Sequence, residues 1–130
     1  MDITLRQRDE ITILDLKGTV HCGDGDRELE AVITDLTIRG CTSLVINLKD
    51  VTHVDTMCLG VIIAAQLRLQ RRQGVVLLLE TPPRIRHMLR IARIDEFLLT
   101  CETEADAIRA LRAAGSSSRG GGAPGRLVDA

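Results

Sequence analysis

Leu44-Val-Ile-Asn-Leu-Lys-Asp-Val-Thr-His-Val-Asp-Thr-Met-Cys-Leu-Gly-Val-Ile-Ile-Ala-Ala65 is the stretch whose reading decides the fold. Leu44 to Leu48 is a short apolar run of the kind that forms a strand buried on both faces. The residues after Leu48 read as a polar turn ending in Asp55-Thr56. A helix then opens and runs over residues 56 to 72, apolar through Leu59-Gly60-Val61-Ile62-Ile63 and polar after Ala65. A strand-to-helix junction of this kind sets a carboxylate and a hydroxyl where unpaired backbone N–H groups and the helix dipole favour negative charge. Such a place suits a phosphate switch or a docking surface.

Outward from that stretch the pattern alternates. Towards the N-terminus, Leu29, Val32, Ile33 and Leu36 fall at helical spacing, with Asp24 or Asp26 available to cap the start and Gly40 to close the end. Before them, Ile3-Thr-Leu5 and Ile11-Thr-Ile13 alternate apolar and polar residues on either side of Arg6 to Glu10, which predicts a hairpin, and Leu14 and Leu16 extend its second strand. Towards the C-terminus, Gly74 precedes a buried strand at Val75 to Leu79. Pro82-Pro83 opens a third helix with Ile85, Met88, Leu89 and Ala92 on one face, and Phe97 to Thr100 reads as a short strand. Thr103-Glu-Ala-Asp106 starts a last helix in the manner of a capping box. The order is a hairpin followed by alternating helices and strands, an α/β fold with a mixed β-sheet and packed α-helices. Residues 1–114 are expected to form one domain, and 115–130, which open Gly-Ser-Ser-Ser-Arg-Gly-Gly-Gly, a disordered tail.

Composition narrows the function classes. The 130 residues carry a formal net charge of −1, which argues against bulk attraction to nucleic acid or anionic membrane. The longest apolar runs fall short of a bilayer span, and Met1-Asp2-Ile3 does not open a signal peptide, so a cytoplasmic protein is expected. Cys22, Cys41, Cys58 and Cys101 lie far apart without a C-x-x-C pair, which predicts free thiols.

Over residues 1 to about 113 the chain resembles the STAS domain, the family of bacterial anti-sigma factor antagonists. The resemblance rests on Leu16-Lys17-Gly18 ending the second strand, on Val45-Ile46-Asn47-Leu48 followed by Val51 and Val54-Asp55, and on Leu59-Gly60-Val61. It extends to Gly74, Ile85-Arg-His-Met-Leu89 and Glu104-Ala-Asp-Ala107. The resemblance implies a protein that binds an anti-sigma factor with serine/threonine kinase activity, releases a sigma factor, and is switched off by phosphorylation. The family's usual motif at the junction is Asp-Ser-Ser-Gly-Leu-Gly, whose second serine accepts the phosphate; this chain reads Asp55-Thr56-Met57-Cys58-Leu59-Gly60. Met57 occupies the acceptor position, which implies altered or absent phosphoregulation. The family's acidic residues after the strand-end glycine are also missing, because Gly18 is followed by Thr19-Val20-His21.

The residues expected to touch a partner are His21, Asp24, His53, Asp55, Thr56, Met57 and Cys58. Thr56 is a candidate phosphorylation site, set against a simple capping role. Asp55 either caps the helix or contacts a partner. Met57 and Cys58 are expected as an apolar docking knob at the helix mouth, unless one or both turn into the core. His53, Asp55 and Cys58, like His21, Cys22 and Asp24, lack metal-ligand spacing, and Asp24-Gly25-Asp26 lacks the later ligands of a calcium loop, so no metal and no cofactor are expected.

Arg86, Arg90 and Arg93 recur at i, i+4 and i+7, a basic stripe that suits an acidic protein partner or simply solvent. With no Trp or Tyr and one Phe, stacking on bases is largely closed off, so direct nucleic-acid binding is not expected. There is no Gly-x-Ser-x-Gly elbow or Gly-x-x-x-x-Gly-Lys loop, and an enzyme is not expected. Two functions fit: an anti-sigma factor antagonist acting by partner switching, or a STAS scaffold or sensor that binds a nucleotide or other small anion without phosphorylation. Neither reading sets the oligomeric state.

Overall fold

The computed structural model describes residues 2–20 and 24–117. They form β1 (Asp2–Arg8), β2 (Ile11–Val20), α1 (Asp24–Ile38), β3 (Ser43–Val54), α2 (Thr56–Gln70), β4 (Val75–Leu79), α3 (Pro83–Ile91), a 3-10 turn (Asp95–Phe97), β5 (Leu99–Cys101) and α4 (Glu104–Ser117). The strands make one sheet in the order β1-β2-β3-β4-β5. Only β1 is antiparallel to its neighbour; β2 through β5 are parallel, as crossover helices require. The sheet is therefore mixed, as the alternation of elements predicts.

The hairpin is tighter than the sequence suggests. Arg6, Gln7 and Arg8 extend β1 rather than forming a loop, and two residues, Asp9 and Glu10, make the turn, Asp9 adopting φ 56°. The loop reading failed because a polar strand at the edge of a sheet carries little hydrophobic signal.

Two clusters flank the sheet. On one face α1, α2 and α3 bury Leu29, Ile33, Leu36, Ile62, Leu69, Ile85 and Leu89 against Leu14, Leu16, Leu44, Ile46, Leu48, Val76 and Leu78. On the other, α4 lays Ala107, Ile108 and Leu111 over Ile11, Ile13, Val45, Leu77, Leu79 and Leu99. Consecutive residues of Leu44–Ile46 in β3 and of Val75–Leu79 in β4 point to opposite clusters, which is why both stretches read as apolar runs. The buried Gln66 of α2 accepts from the Val76 amide at 2.8 Å and so ties helix to strand without leaving its polar atom bare.

Helix ends share one pattern. After α1, the amide of Gly40 bonds Thr37 O and that of Cys41 bonds Leu36 O, with Gly40 at φ 94°, so Gly40 closes the helix as expected. After α2 the same pair of bonds is made by Gln73 and Gly74, and after α3 by Arg93 and Ile94, with Gln73 and Arg93 themselves in the left-handed region. Gly74 has another reason to be glycine: a Cβ there would lie 2.4 Å from the Thr42 carbonyl oxygen. At α4 the Thr103 hydroxyl accepts from the Asp106 amide at 3.1 Å, the expected cap.

Several expectations need correction here. Phe97 is not in the last strand: it ends the 3-10 turn, is exposed, and β5 spans Leu99–Cys101. Ala92 is exposed and lies just past α3, off its buried face. Arg93 leaves the helix in a left-handed conformation, so it does not continue a stripe with Arg86 and Arg90. The helix α4 is described as far as Ser117, and the rest of the tail expected from residue 115, 118–130, lies outside the described residues.

On the α4 face, beyond the apolar cluster that includes Ile11 and Ile13 of β2, a polar network takes over. Arg6 forms a bidentate pair with Asp15 and donates to Glu104 at 2.8 Å; Arg8 also binds Glu104, and Asn47 donates to Asp15 at 2.8 Å. Hydrogen bonding from Arg6, aided by Asn47, holds the Asp15 carboxyl below its ordinary range against the opposing effect of burial. Hydrogen bonds from Arg6 and then Arg8 do the same for Glu104. These links fasten the start of α4 to the hairpin.

Both features bear on stability. Gly74→Ala must push the added Cβ against the Thr42 backbone and is expected to cost about 1–3 kcal/mol, read as a lower urea midpoint at unchanged m-value. Depressed carboxyl pKa values stabilise the fold above the unfolded-state range near 4, and that contribution is lost as pH falls through the lower folded-state values. Urea midpoints should therefore drop as pH falls below about 4, and Arg6→Met should lower stability at neutral pH while flattening this acid dependence.

Candidate functional site

The site begins with an irregular strand. The register between β2 and β3 shifts twice: Asp15 faces Asn47, Lys17 faces Asp50, Gly18 faces Val51 and Thr19 faces His53. Each shift adds one residue to β3 relative to β2, as a β-bulge does. The helix-facing residues of this segment are consequently Leu48, Val51 and Val54, three apart, all of them buried. Residues 49–54 are thus strand and not the polar turn the sequence suggests; bulges hide the period of two that would have marked them. Likewise β2 does not stop at Gly18 but continues to Val20, with Gly18 at φ 102° beside the second shift.

This longer β3 carries the chain to the carboxyl end of the parallel strands, where α2 starts. Asp55 is extended (φ −102°, ψ 175°) and its Oδ1 accepts from the Cys58 amide at 3.0 Å, so Asp55 is the cap and Thr56 is the first helical residue. The 3.6-residue period then sorts the first turn. Cys58 and Leu59 point inward and are buried, while Thr56 and Met57 stay exposed, Met57 at 55%. Cys58 is therefore corrected: its side chain is fully buried in the core and cannot be part of a docking knob.

His53 is exposed on β3 next to this turn, and Asp24 opens α1 at the same end of the sheet, since both helices come after parallel strands. The Asp24 side chain and all of His21, with the thiol of Cys22, lie outside the described residues. Cys41, Cys58 and Cys101 are free thiols. Because Cys58 faces the core and His53 faces solvent, they do not share a site; no metal-binding group of three His, Cys, Asp or Glu occurs among the described residues.

Structure adds residues that the sequence reading missed. Along α2, Met57, Gly60, Ala64 and Leu67 are all exposed and recur at i, i+3, i+7 and i+10, one stripe on the solvent side. A Cβ at Gly60 would meet nothing within 4 Å, so no packing reason within the domain requires glycine there. Leu67, 54% exposed, ends the stripe with a large apolar side chain in water. The spacing was present in the sequence, but which side of an almost wholly apolar helix faces solvent was not. Two surface cavities, of about 480 and 490 Å³, lie away from this junction: one between Leu5 of β1 and the end of α1, the other beside the Arg6–Asp15 network.

A family model of the STAS domain matches residues 2–107. The chain belongs to the STAS domain family. Its fold is similar to that of a Thermotoga maritima protein proposed to be an anti-sigma factor antagonist, at 18% identity and TM-score 0.80, over 85% of this chain and 94% of that one. It is also similar to an anti-sigma factor antagonist from Mycobacterium paratuberculosis (20% identity, TM-score 0.77, 85% and 93% covered). SpoIIAA, an anti-sigma factor antagonist in its unphosphorylated form, superposes with 19% identity and TM-score 0.70 over 85% of this chain and 98% of that one. No curated protein sequence matches the chain. Among the described residues of this STAS protein, no helix is long and apolar enough to cross a membrane.

The cap and the stripe make separate stability predictions. Asp55→Ala removes the side-chain acceptor at the start of α2 and is expected to cost about 1 kcal/mol. Gly60→Ala, at an exposed helical position with free space around it, is expected to add about 0.5–1 kcal/mol. Thermal melts of the two variants beside the parent protein check both signs.

Proposed function

We propose that this STAS protein is an anti-sigma factor antagonist acting by partner switching: it docks an anti-sigma factor with serine/threonine kinase activity and thereby frees a sigma factor. The observation that carries the reading is the start of α2, where the Asp55 cap turns Cys58 inward and leaves Met57 in line with Gly60, Ala64 and Leu67 on an exposed apolar stripe. Small residues flanked by Met and Leu let a partner backbone approach closely while the longer side chains supply adaptable apolar contact. His53 and Asp24 sit at the same end of the sheet and belong to the proposed rim, with His21 between β2 and α1. The anti-sigma factor antagonists among its structural neighbours support the role.

In this reading the chain works as a binding protein in the cytoplasm, where sigma factors act. It needs neither metal nor cofactor, and it makes no direct contact with nucleic acid. Met57 offers no hydroxyl at the family's acceptor position, so the complex is insensitive to the kinase unless Thr56, exposed one residue earlier, takes the phosphate. A phosphate adds about −1.5 to −2 charge. A helix N-terminus tolerates that charge, but a partner packed on the stripe does not, because the group must be desolvated to dock.

The anti-sigma factor captured with this protein from its own cells and identified by mass spectrometry, then purified, is the reagent for the test. Calorimetry is expected to show binding by the parent protein, and at least about tenfold weaker binding by Met57→Asp and Gly60→Leu, neither of which should melt below the parent. Incubation with the kinase and ATP, read by intact mass, should leave the parent unmodified and phosphorylate Met57→Ser. Phosphorylation of the parent that Thr56→Ala abolishes would move the acceptor to Thr56. Failure of any anti-sigma factor to bind, or full affinity in Met57→Asp, would sink the docking surface.

A further inference from the structure

We propose that Met57 is a reversible oxidation site, and that its sulfoxide releases the docked partner in place of phosphorylation. The proposal rests on the docking role of the α2 stripe and names its regulation.

Burial singles out this sulfur. Of the sulfur-bearing side chains described, Cys58 is fully buried, Cys41 and Cys101 are half-buried, and Met88 is packed against the core, whereas Met57 is 55% exposed. The Cys41 thiol also points back to the Ser43 carbonyl. Burial, with the nearby Asp106 charge, raises the pKa of the Cys101 thiol and so keeps down the thiolate that oxidants attack. A thioether needs no deprotonation and reacts wherever the oxidant can reach it.

The step is a two-electron oxygen transfer from a peroxide. The Met57 sulfur lone pair attacks one peroxide oxygen, the O–O bond breaks, an S–O bond forms, and water leaves; sulfur is oxidised and peroxide reduced. A dithiol-dependent sulfoxide reductase reverses it, taking the oxygen off as water while the dithiol becomes a disulfide.

Position gives the change a consequence. Met57 is the second residue of α2, beside amides that have no intrahelical partner; among the first three, that of Cys58 is taken by Asp55. A sulfoxide oxygen carries partial negative charge and is favoured there in the free protein. Under a docked partner the same oxygen has to be desolvated within an apolar stripe that includes Gly60 and Ala64. The modification thus stabilises the free state and opposes the bound one, the same direction of bias that a phosphate at this position would impose.

The test oxidises the full chain alone with dilute hydrogen peroxide, quenches it, maps the added oxygen by peptide mass spectrometry, and then measures affinity for the purified anti-sigma factor. The first oxygen is expected on Met57, ahead of Met88 and the thiols, with affinity falling about tenfold and returning after treatment with sulfoxide reductase. Met57→Leu, whatever its own affinity, should no longer respond to peroxide, and Met88→Leu should respond as the parent does. First oxidation elsewhere, or undiminished binding once Met57 is oxidised, would overturn the proposal. If untreated protein binds no anti-sigma factor, the docking reading itself fails and the switch fails with it; binding that survives oxidation sinks the switch alone.

Discussion

Everything in this domain hangs on β3 being buried on both faces. Leu44, Ile46 and Leu48 feed the α1–α3 cluster and Val45 between them feeds the α4 cluster, while the strand's two backbone edges are taken by β2 and β4. A strand in that position has no water to satisfy its backbone, so its pairing is obligatory. Extending it beyond Leu48 therefore required a way to keep burying residues while the composition turned polar. The two register shifts against β2 supply it: Leu48, Val51 and Val54 all reach the core although they are three apart. The path of that extension sets where Asp55 lies, and hence where α2 begins.

From Asp55 onward the geometry is helical arithmetic. One hydrogen bond from the Cys58 amide to the Asp55 carboxylate fixes the entry of the helix, and the 3.6-residue period does the rest. Cys58, Leu59, Ile62, Ala65 and Leu69 go to the core; Met57, Gly60, Ala64 and Leu67 go to solvent. The solvent face and the core face of α2 are thus two sides of one apolar segment.

The opposite face shows how the remaining sheet is managed. Helix α4 covers β3 to β5 and the Ile11–Ile13 end of β2 with Ala107, Ile108 and Leu111, but beyond it the same face presents Arg6 of β1, Asp15 of β2 and Asn47 of β3, with Glu104 closing the network from the helix. Sequence separation between Arg6 and Glu104 is nearly the whole domain, so this polar patch also joins the two ends of the chain. Each partner is partly exposed, which keeps the cost of burying charge low.

Period and punctuation in the sequence were enough to determine the order of elements, the two-sided burial of Leu44 to Leu48 and of Val75 to Leu79, the glycine stop at Gly40, and the threonine cap at Thr103. These are local: each depends on residues a few positions apart. The resemblance at Asp55-Thr56-Met57-Cys58-Leu59-Gly60 likewise pointed to the junction where the candidate site was sought. Tertiary structure alone decided that 49–54 is strand, because a bulge exists only relative to a partner strand; that Cys58 is core, because Asp55 rather than Thr56 sets the helix start; and that Ala64 and Leu67 are surface. An amphipathic pattern names the buried side of a helix only where the other side is polar. In α2 both sides are apolar, and only packing against β3, β4 and α1 could choose between them.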